Sequence, residues 1–332
     1  GWVFVLDTET TLSIDQSLTV GAYAVYGIDN NTKILLAKTK RLTREALDAL
    51  HECGLFYNPE TVTPEQIKII EEYAHANKIS VFTKQEFITQ VFFKWVHQHQ
   101  ALCIGHNLSF DISRLATDWA EARGSFKDGF SFRVCECKLT PGYRTCGFHP
   151  NIRVRSLGGR KALYGFMQSV TFNKGKPQKG EFRNDGKFLD TMTFGRALLG
   201  PGKGSLLDMG KRFKSDILKT TTDVHGVITP EYLAYNINDV KATFSLFIKQ
   251  RALYKLHGTT RPMWKIYSEA SLGKAYLDDM KFPQFMKQHA DFPKAALGSF
   301  MSTYYGGRSE VKYRRKIGQC MYADFKSQYP TV

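Results

Sequence analysis

The chain has 332 residues, 42% of them hydrophobic, which is enough for one large domain or two ordinary ones with a substantial core. Lys and Arg number 46 against 31 Asp and Glu, a formal net charge of +15 that favours an anionic partner such as nucleic acid. No apolar run approaches the ~20 residues of a membrane span, no secretory leader is visible, and six unevenly placed cysteines argue for a reducing compartment over a disulfide scaffold. A protein without a membrane partner, cytoplasmic rather than secreted, is expected. Residues 151–220 hold 15 Lys and Arg but only 5 Asp and Glu, so most of the excess charge lies in under a quarter of the chain, as for a nucleic-acid track. The chain starts one residue before an apolar run and stops at Val332, so a piece of a longer protein is expected.

Trp2 to Leu6 is a continuous apolar run, which predicts a strand buried on both faces in the middle of a sheet. Two carboxylates close it. Alternate side chains of a strand share a face, so Asp7 and Glu9 point one way and Thr8 the other. Adjacent acids repel unless a cation stands between them, and hard divalent cations with oxygen ligands are the usual solution. Val20–Tyr26 and Lys33–Lys38 predict two further strands around a turn at Asp29-Asn30-Asn31. Pro64–Asn77 and Thr83–His99 predict helices, the second with Phe87, Ile88, Val91, Phe92, Trp95 and Val96 at helical spacing. Ala101–Asn107 is an apolar strand with a polar end, followed by Ser109, Phe110 and Asp111 and by a helix expected to run through Trp119 and Ala122. A helix feeding a strand whose end carries polar residues is the α/β layout, in which sites gather at strand ends.

Phe130–Lys138 and Ile152–Leu157 predict strands, and Asn173–Lys187 a polar, Gly-rich insertion or hairpin tip. Lys187–Thr191 is a short strand ending in Asp190, and Gly204–Phe213 a helix with Ser205 as N-cap. Thr229-Pro230 opens a helix over Glu231–Leu256 with an apolar stripe of Leu233, Ile237, Val240, Phe244 and Phe247. On it Tyr235 and Asp239 are four apart and share a face. Thr259–Phe300, with Trp264, Tyr267, Leu272, Tyr276 and Phe282, reads as connecting helices whose apolar residues are most simply core.

Asp7 and Glu9 in LDTET, Asp111 in GHNLSFD, and Tyr235 with Asp239 in YNIND stand in a recognisable order. In these motifs the sequence resembles a 3′–5′ exonuclease of the four-acidic-residue type, tyrosine subclass. The resemblance implies a ribonuclease H-like (DnaQ-like) α/β fold with a mixed sheet flanked by helices. It also implies two-metal-ion hydrolysis, in which two Mg²⁺ or Mn²⁺ ions ~3.5–4 Å apart serve the attacking water and the departing 3′ oxygen. Asp7, Glu9 and Asp239 would then hold one ion, Asp7 and Asp111 the second, and Tyr235 would orient the water, since a phenol with pKa ~10 is a poor base at neutral pH. Asn107 and Phe110 would contact the terminal nucleotides, Phe110 by stacking or else as plain core. Towards the end of the chain, Tyr304, Gly306, Gly307 and Arg308 in YYGGR resemble the YxGG motif of family B DNA polymerases, and DFKSQYP resembles that family's first palm motif. The second resemblance makes Asp324 a polymerase metal ligand in an incomplete site, and places Ser327 and Tyr329 at the incoming nucleotide. Gln328 departs from the family's usual apolar residue.

These resemblances divide the chain into an exonuclease domain at 1–257 with an inserted β and loop segment at 127–187, a helical connector at 258–300, and the start of a truncated palm at 301–332. They imply proofreading of single-stranded DNA 3′ ends for the remainder of a polymerase chain, in a bacterial, viral or mobile-element setting; this stretch by itself would not polymerise. A nucleic-acid-binding module with an inactive exonuclease fold and a stand-alone DNA or RNA exonuclease are the alternatives. Separately, Cys135, Cys137, Cys146 and His149 lie within one turn-rich stretch and suit tetrahedral Zn²⁺, the alternative being a hairpin with two half-buried thiols. Cys103 and Cys320 lie in apolar runs and read as packing residues.

Overall fold

A computed structural model describes residues 1–28, 50–137, 146, 148–158, 161–167, 171–173, 176–178, 185–221, 225–281, 283 and 285–303. The strands in chain order are β1 (Trp2–Thr10), β2 (Leu18–Gly27), β3 (Leu50–Tyr57), β4 (Ser80–Thr83), β5 (Leu102–Gly105) and β6 (Asp118–Glu121). They continue with β7 (Phe130–Arg133), β8 (Ile152–Gly158), β9 (Lys161–Phe166), β10 (Thr171–Asn173), β11 (Lys176–Gln178) and β12 (Lys187–Asp190). The helices are α1 (Pro64–Asn77), α2 (Phe87–Gln98), α3 (Leu108–Leu115), α4 (Thr191–Leu199), α5 (Leu206–Arg212), α6 (Pro230–Leu256), α7 (Glu269–Asp279), α8 (Phe285–Gln288) and α9 (Lys294–Thr303). Two compact units result, Gly1–Met280 and Lys281–Val332. The second contains α8 and α9.

A six-stranded mixed sheet in the order β12-β5-β1-β2-β3-β4 organises the first unit. β2 pairs antiparallel with both β1 and β3, whereas β1 with β5, β5 with β12 and β3 with β4 are parallel, so β2 alone runs against the rest. Two helical layers cover the sheet. Val3 and Val5 of β1 pack on one face in a cluster with Leu233, Val240 and Phe244 of α6. Phe4 and Leu6 pack on the other with Phe87, Ile88 and Phe92 of α2 and Leu108 and Ile112 of α3. Phe4, Val5 and Leu6 are wholly buried, each contributing roughly 1.5–3 kcal/mol of apolar transfer. Close packing also dictates a glycine: a Cβ on Gly21 would stand 2.2 Å from Cζ of Phe56, whose ring lies across β2 and stacks on Phe87.

Local signals account for the helix boundaries. Thr63 and Gln66 cap α1 reciprocally with Pro64 in its first turn, and the helix closes at Lys78 in the left-handed region. Ser205 caps α5 through the Asp208 amide, and Thr229 caps α6 through the Tyr232 amide with Pro230 first in the helix. α2 begins from the single turn Lys84–Glu86 and has π geometry, and Phe93 is buried along with Phe87, Ile88, Val91, Phe92, Trp95 and Val96.

Several expectations need correction. The helix carrying Asp111 ends at Leu115 rather than running through Trp119 and Ala122; Trp119 lies on β6, paired antiparallel with β7. At Ala116 the backbone turns extended, and the Thr117 amide donates to the Arg133 carbonyl, so pairing with β7 takes over from the helical ladder. The strand expected over Phe130–Lys138 stops at Arg133. β6 to β9 form a separate four-stranded antiparallel sheet that starts at Asp118, ahead of the expected insertion. β3, β4 and β9 were not anticipated, while Lys33–Lys38 lies outside the described residues. Leu272 and the partly buried Trp264 and Tyr276 pack into the main core as expected.

Candidate functional site

The alternation of β1 continues past its apolar run and sorts the polar residues at its end. Asp7 follows Val3 and Val5 onto the face covered by α6, where the Asn236 side-chain amide donates to its Oδ2 at 2.6 Å. Thr8 follows Phe4 and Leu6 onto the face covered by α3. There its amide and hydroxyl both donate to Oδ1 of Asp111, at 3.0 and 2.8 Å. The register of β1 against β2 shifts between Thr8 and Thr10, so Glu9 sits at an irregularity of the kind that re-aims side chains at sheet ends.

α6 brings a stripe to this strand end. Tyr232, Tyr235, Asn236 and Asp239 recur at three- and four-residue spacing and therefore share one face. The Tyr232 hydroxyl donates to Oε2 of Glu9 at 2.7 Å, and the Tyr232 and Tyr235 rings stack with centroids 6.1 Å apart. Asp7, Glu9 and Asp239 each offer an oxygen within 4.8 Å of the others. This is the trio that the resemblance assigned to one cation. Asp111 stands beside it rather than in it, its oxygen engaged by Thr8.

Lys219, in the segment between α5 and α6, donates its ammonium to Asp239 and lies 4.7 Å from the centre of the Tyr235 ring. Nothing in its sequence spacing singles it out. Tyr232 and Asn236 were also not anticipated, although the stripe that holds Tyr235 and Asp239 extends to both. Other members of the basic stretch are engaged in structure: Arg153, Arg196 and Arg212 donate to the backbone carbonyls of Phe166, Gly202 and Gly200.

The electrostatics are those of crowded, desolvated acids. Burial raises the Asp7 carboxyl well above its ordinary range, and the charges of Asp111, Asp239 and Glu9 add to this. Glu9 is raised by burial against the opposing Tyr232 hydrogen bond. Asp111 is pushed up to about 8 by burial, despite its two bonds from Thr8. At Asp239 burial outweighs Lys219 and the carboxyl is raised. Burial also opposes the Lys219 ammonium, but there the charge and hydrogen bond of Asp239 win and hold it above its ordinary value. The charge of Lys219 thus opposes the rise at Asp7, Glu9 and Asp239 without cancelling it.

A divalent cation fits this donor set. Oδ1 of Asp239 is buried without a hydrogen-bond partner among the described residues. Oxygen ligands of one cation with ~2.0–2.4 Å bonds stand at most about 5 Å apart, and these three oxygens lie within 4.8 Å of one another. Asp190, also buried, is engaged otherwise: its oxygens accept from the amides of Leu108, Met192 and Thr193, joining the start of α3 to that of α4.

Asn107 is exposed and adopts a left-handed conformation (φ 67°, ψ 45°) at the start of α3, its side chain making no capping bond. Phe110 is half-buried with the Arg114 guanidinium 4.8 Å from its ring centre, and belongs to none of the core clusters. Cys135, Cys137 and His149 gather in a separate cluster, in which a disulfide joins Cys135 to Cys137. Cys103 is wholly buried, as expected of a packing residue. Tyr304, Gly306, Gly307, Arg308, Cys320, Asp324, Ser327 and Tyr329 lie outside the described residues. No described helix is long and apolar enough to cross a membrane.

A scan against protein-family models finds no match to this chain, and a search of curated proteins finds none either.

Proposed function

We propose that the chain is a 3′–5′ exonuclease that removes nucleotides from single-stranded DNA ends, and that it serves as the proofreading part of a family B DNA polymerase. The observation that carries the proposal is the meeting of Asp7, Glu9 and Asp239 at one strand end, with a buried Asp239 oxygen that has no hydrogen-bond partner among the described residues. The mixed α/β sheet flanked by helices is compatible with the ribonuclease H-like fold that the resemblance implies.

In this reading Asp7, Glu9 and Asp239 hold one Mg²⁺ or Mn²⁺, and Asp7 with Asp111 holds the second. When bound, the two ions supply the positive charge that makes water a nucleophile at neutral pH and stabilises the departing 3′ oxygen. The chain's own groups do the rest. Asn236 holds the Asp7 carboxylate from one side and Tyr232 the Glu9 carboxylate, restricting both to orientations from which they converge. Thr8 fixes Asp111 in the same way. Tyr235 orients the attacking water through its hydroxyl, with the Lys219 ammonium over its ring and beside Asp239. Asn107 and Phe110, exposed and half-buried at the start of α3, receive the terminal nucleotides of the strand. Asp324, Ser327 and Tyr329 belong to the polymerase part of the proposal, together with the motif from Tyr304 to Arg308.

Digestion of a 5′-labelled single-stranded DNA oligonucleotide with Mg²⁺ or Mn²⁺ tests the proposal. A ladder shortening from the 3′ end is expected, lost with EDTA and in the Asp7→Ala/Glu9→Ala variant. Oligonucleotide that stays intact while bound would refute it in favour of an inactive binding module.

A further inference from the structure

Four potential metal ligands lie beside the end of β7: Cys135, Cys137 and His149 offer atoms within 4.8 Å of one another, and Cys146 adjoins them through His149. The Nδ1 of His149 stands 3.5 Å from Sγ of Cys135, 3.1 Å from Sγ of Cys137 and 3.6 Å from Sγ of Cys146. In a tetrahedral zinc centre with bonds of ~2.3 Å to sulfur and ~2.0–2.1 Å to nitrogen, each sulfur lies about 3.6 Å from the nitrogen. The imidazole therefore stands at ligand-to-ligand spacing from the sulfurs of Cys135 and Cys146, and closer than that to the sulfur of Cys137.

Hydrogen bonds hold the described residues around Cys135 and Cys137. The Cys137 amide donates to Sγ of Cys135 at 3.1 Å, a contact that would stabilise negative charge on that sulfur once the disulfide is reduced. Arg133 donates from Nε to the Cys135 carbonyl and from its terminal nitrogen to the Cys137 carbonyl, both at 2.9 Å. From α2's side, the Phe93 ring meets the His149 ring edge-on at 4.8 Å, and Gln85, in the turn ahead of α2, accepts from the Glu136 amide. Cys135 is buried, while the other three are half-buried.

We propose that Cys135, Cys137, Cys146 and His149 form a zinc site in the reduced protein, and that the Cys135–Cys137 disulfide is its oxidised, metal-free form. The two forms interconvert with a dithiol as co-reactant. The dithiol gives up two electrons and two protons and closes its own disulfide, while the Cys135–Cys137 bond breaks to two thiols. Zinc then takes three thiolates, whose protons leave to solvent, and the Nδ1 lone pair of His149, which keeps its proton on Nε2. Bound zinc would tie the loop after β7 to the segment before β8, beside α2, and so clamp the four-stranded sheet against the helical layer. The proposal stands independently of the exonuclease reading, because it shares no residue with the carboxylates.

The test uses the Asp7→Ala/Glu9→Ala chain, so that the carboxylates cannot supply metal, purified with a dithiol reductant. Elemental analysis should give one zinc per chain, and Co²⁺ put in its place should show thiolate-to-cobalt charge-transfer absorption. Cys146→Ser and Cys137→Ser should each lower zinc content at least tenfold, whereas Cys53→Ser should not change it. Oxidation should release the zinc as two thiols disappear. Zinc content in the reduced chain no higher than in Cys146→Ser, or a cobalt spectrum without charge transfer, would overturn the proposal and leave a hairpin with ordinary thiols. The cobalt spectrum of the otherwise unaltered chain decides the matter if the cysteine variants fail to fold.

Discussion

Removing the Lys219 ammonium with Lys219→Met separates a structural cation from one that divalent ions can replace. The partners are unequally exposed, with the Lys219 side chain 32% accessible and that of Asp239 2%. Two unit charges 4 Å apart attract by about 4 kcal/mol at an effective dielectric constant of 20. Partial exposure screens this, and deleting the lysine recovers its desolvation cost, so a net loss of about 2 kcal/mol is expected in EDTA. For a unit of this size that is a fall of about 3 °C in Tm. Asp7, Glu9 and Asp239 would then repel one another without any cation, and their carboxyl groups would rise further. The deficit should therefore be larger at pH 8.5 than at pH 6, where proton uptake relieves it. On the proposed reading, saturating Mg²⁺ would place positive charge among the same oxygens and should shrink the difference to under half. Thermal unfolding of both proteins, with EDTA and with Mg²⁺ at the two pH values, provides the measurement. A deficit of the same size with and without Mg²⁺ would refute the reasoning, since Lys219 would then be holding structure through packing alone.

Three further outcomes are expected. Because the folded-state carboxyls of Asp7, Glu9, Asp111 and Asp239 lie above their unfolded values, the folded protein holds the extra protons. In EDTA, stability should therefore be greatest at mildly acidic pH and fall as pH rises through about 8, the position of Asp111, with Mg²⁺ flattening the profile; a rise in Tm between pH 6 and 8.5 in EDTA would contradict this. Gly21→Ala drives a methyl into the Phe56 ring and should cost about 1–3 kcal/mol by denaturant titration, whereas Gly273→Ala, whose Cβ would meet nothing within 4 Å, should cost nothing measurable. Asn107→Gly should preserve folding, since glycine accepts the left-handed backbone, while Asn107→Val should cost about 1–2 kcal/mol there; in the digestion assay Asn107→Gly then tests the nucleotide contact proposed for the side chain without disturbing the fold.

Much of this architecture was legible in local chemistry. The apolar run Trp2–Leu6 specifies a doubly buried strand, period-two alternation puts Asp7 and Glu9 on one face, and Thr63, Ser205 and Thr229 mark helix starts because their hydroxyls satisfy amides that have no partner within the helix. Tyr235 and Asp239 share a face for reasons internal to α6. What only the tertiary structure decided is which faces meet. Helical spacing carries no information on the partner across the sheet. The pairing of Thr8 with Asp111, of Tyr232 with Glu9 and of Lys219 with Asp239 therefore had no sequence signal, these residues lying 103, 223 and 20 positions apart. The strand at Trp119 was misread for the same reason: local propensity there is weak, and hydrogen bonding to β7 settled the conformation. Residue types told where acids, thiols and apolar side chains lie along the chain. Long-range packing decided which of them share a desolvated pocket, and it is that desolvation which lifts the carboxyl groups of the cluster above their ordinary range.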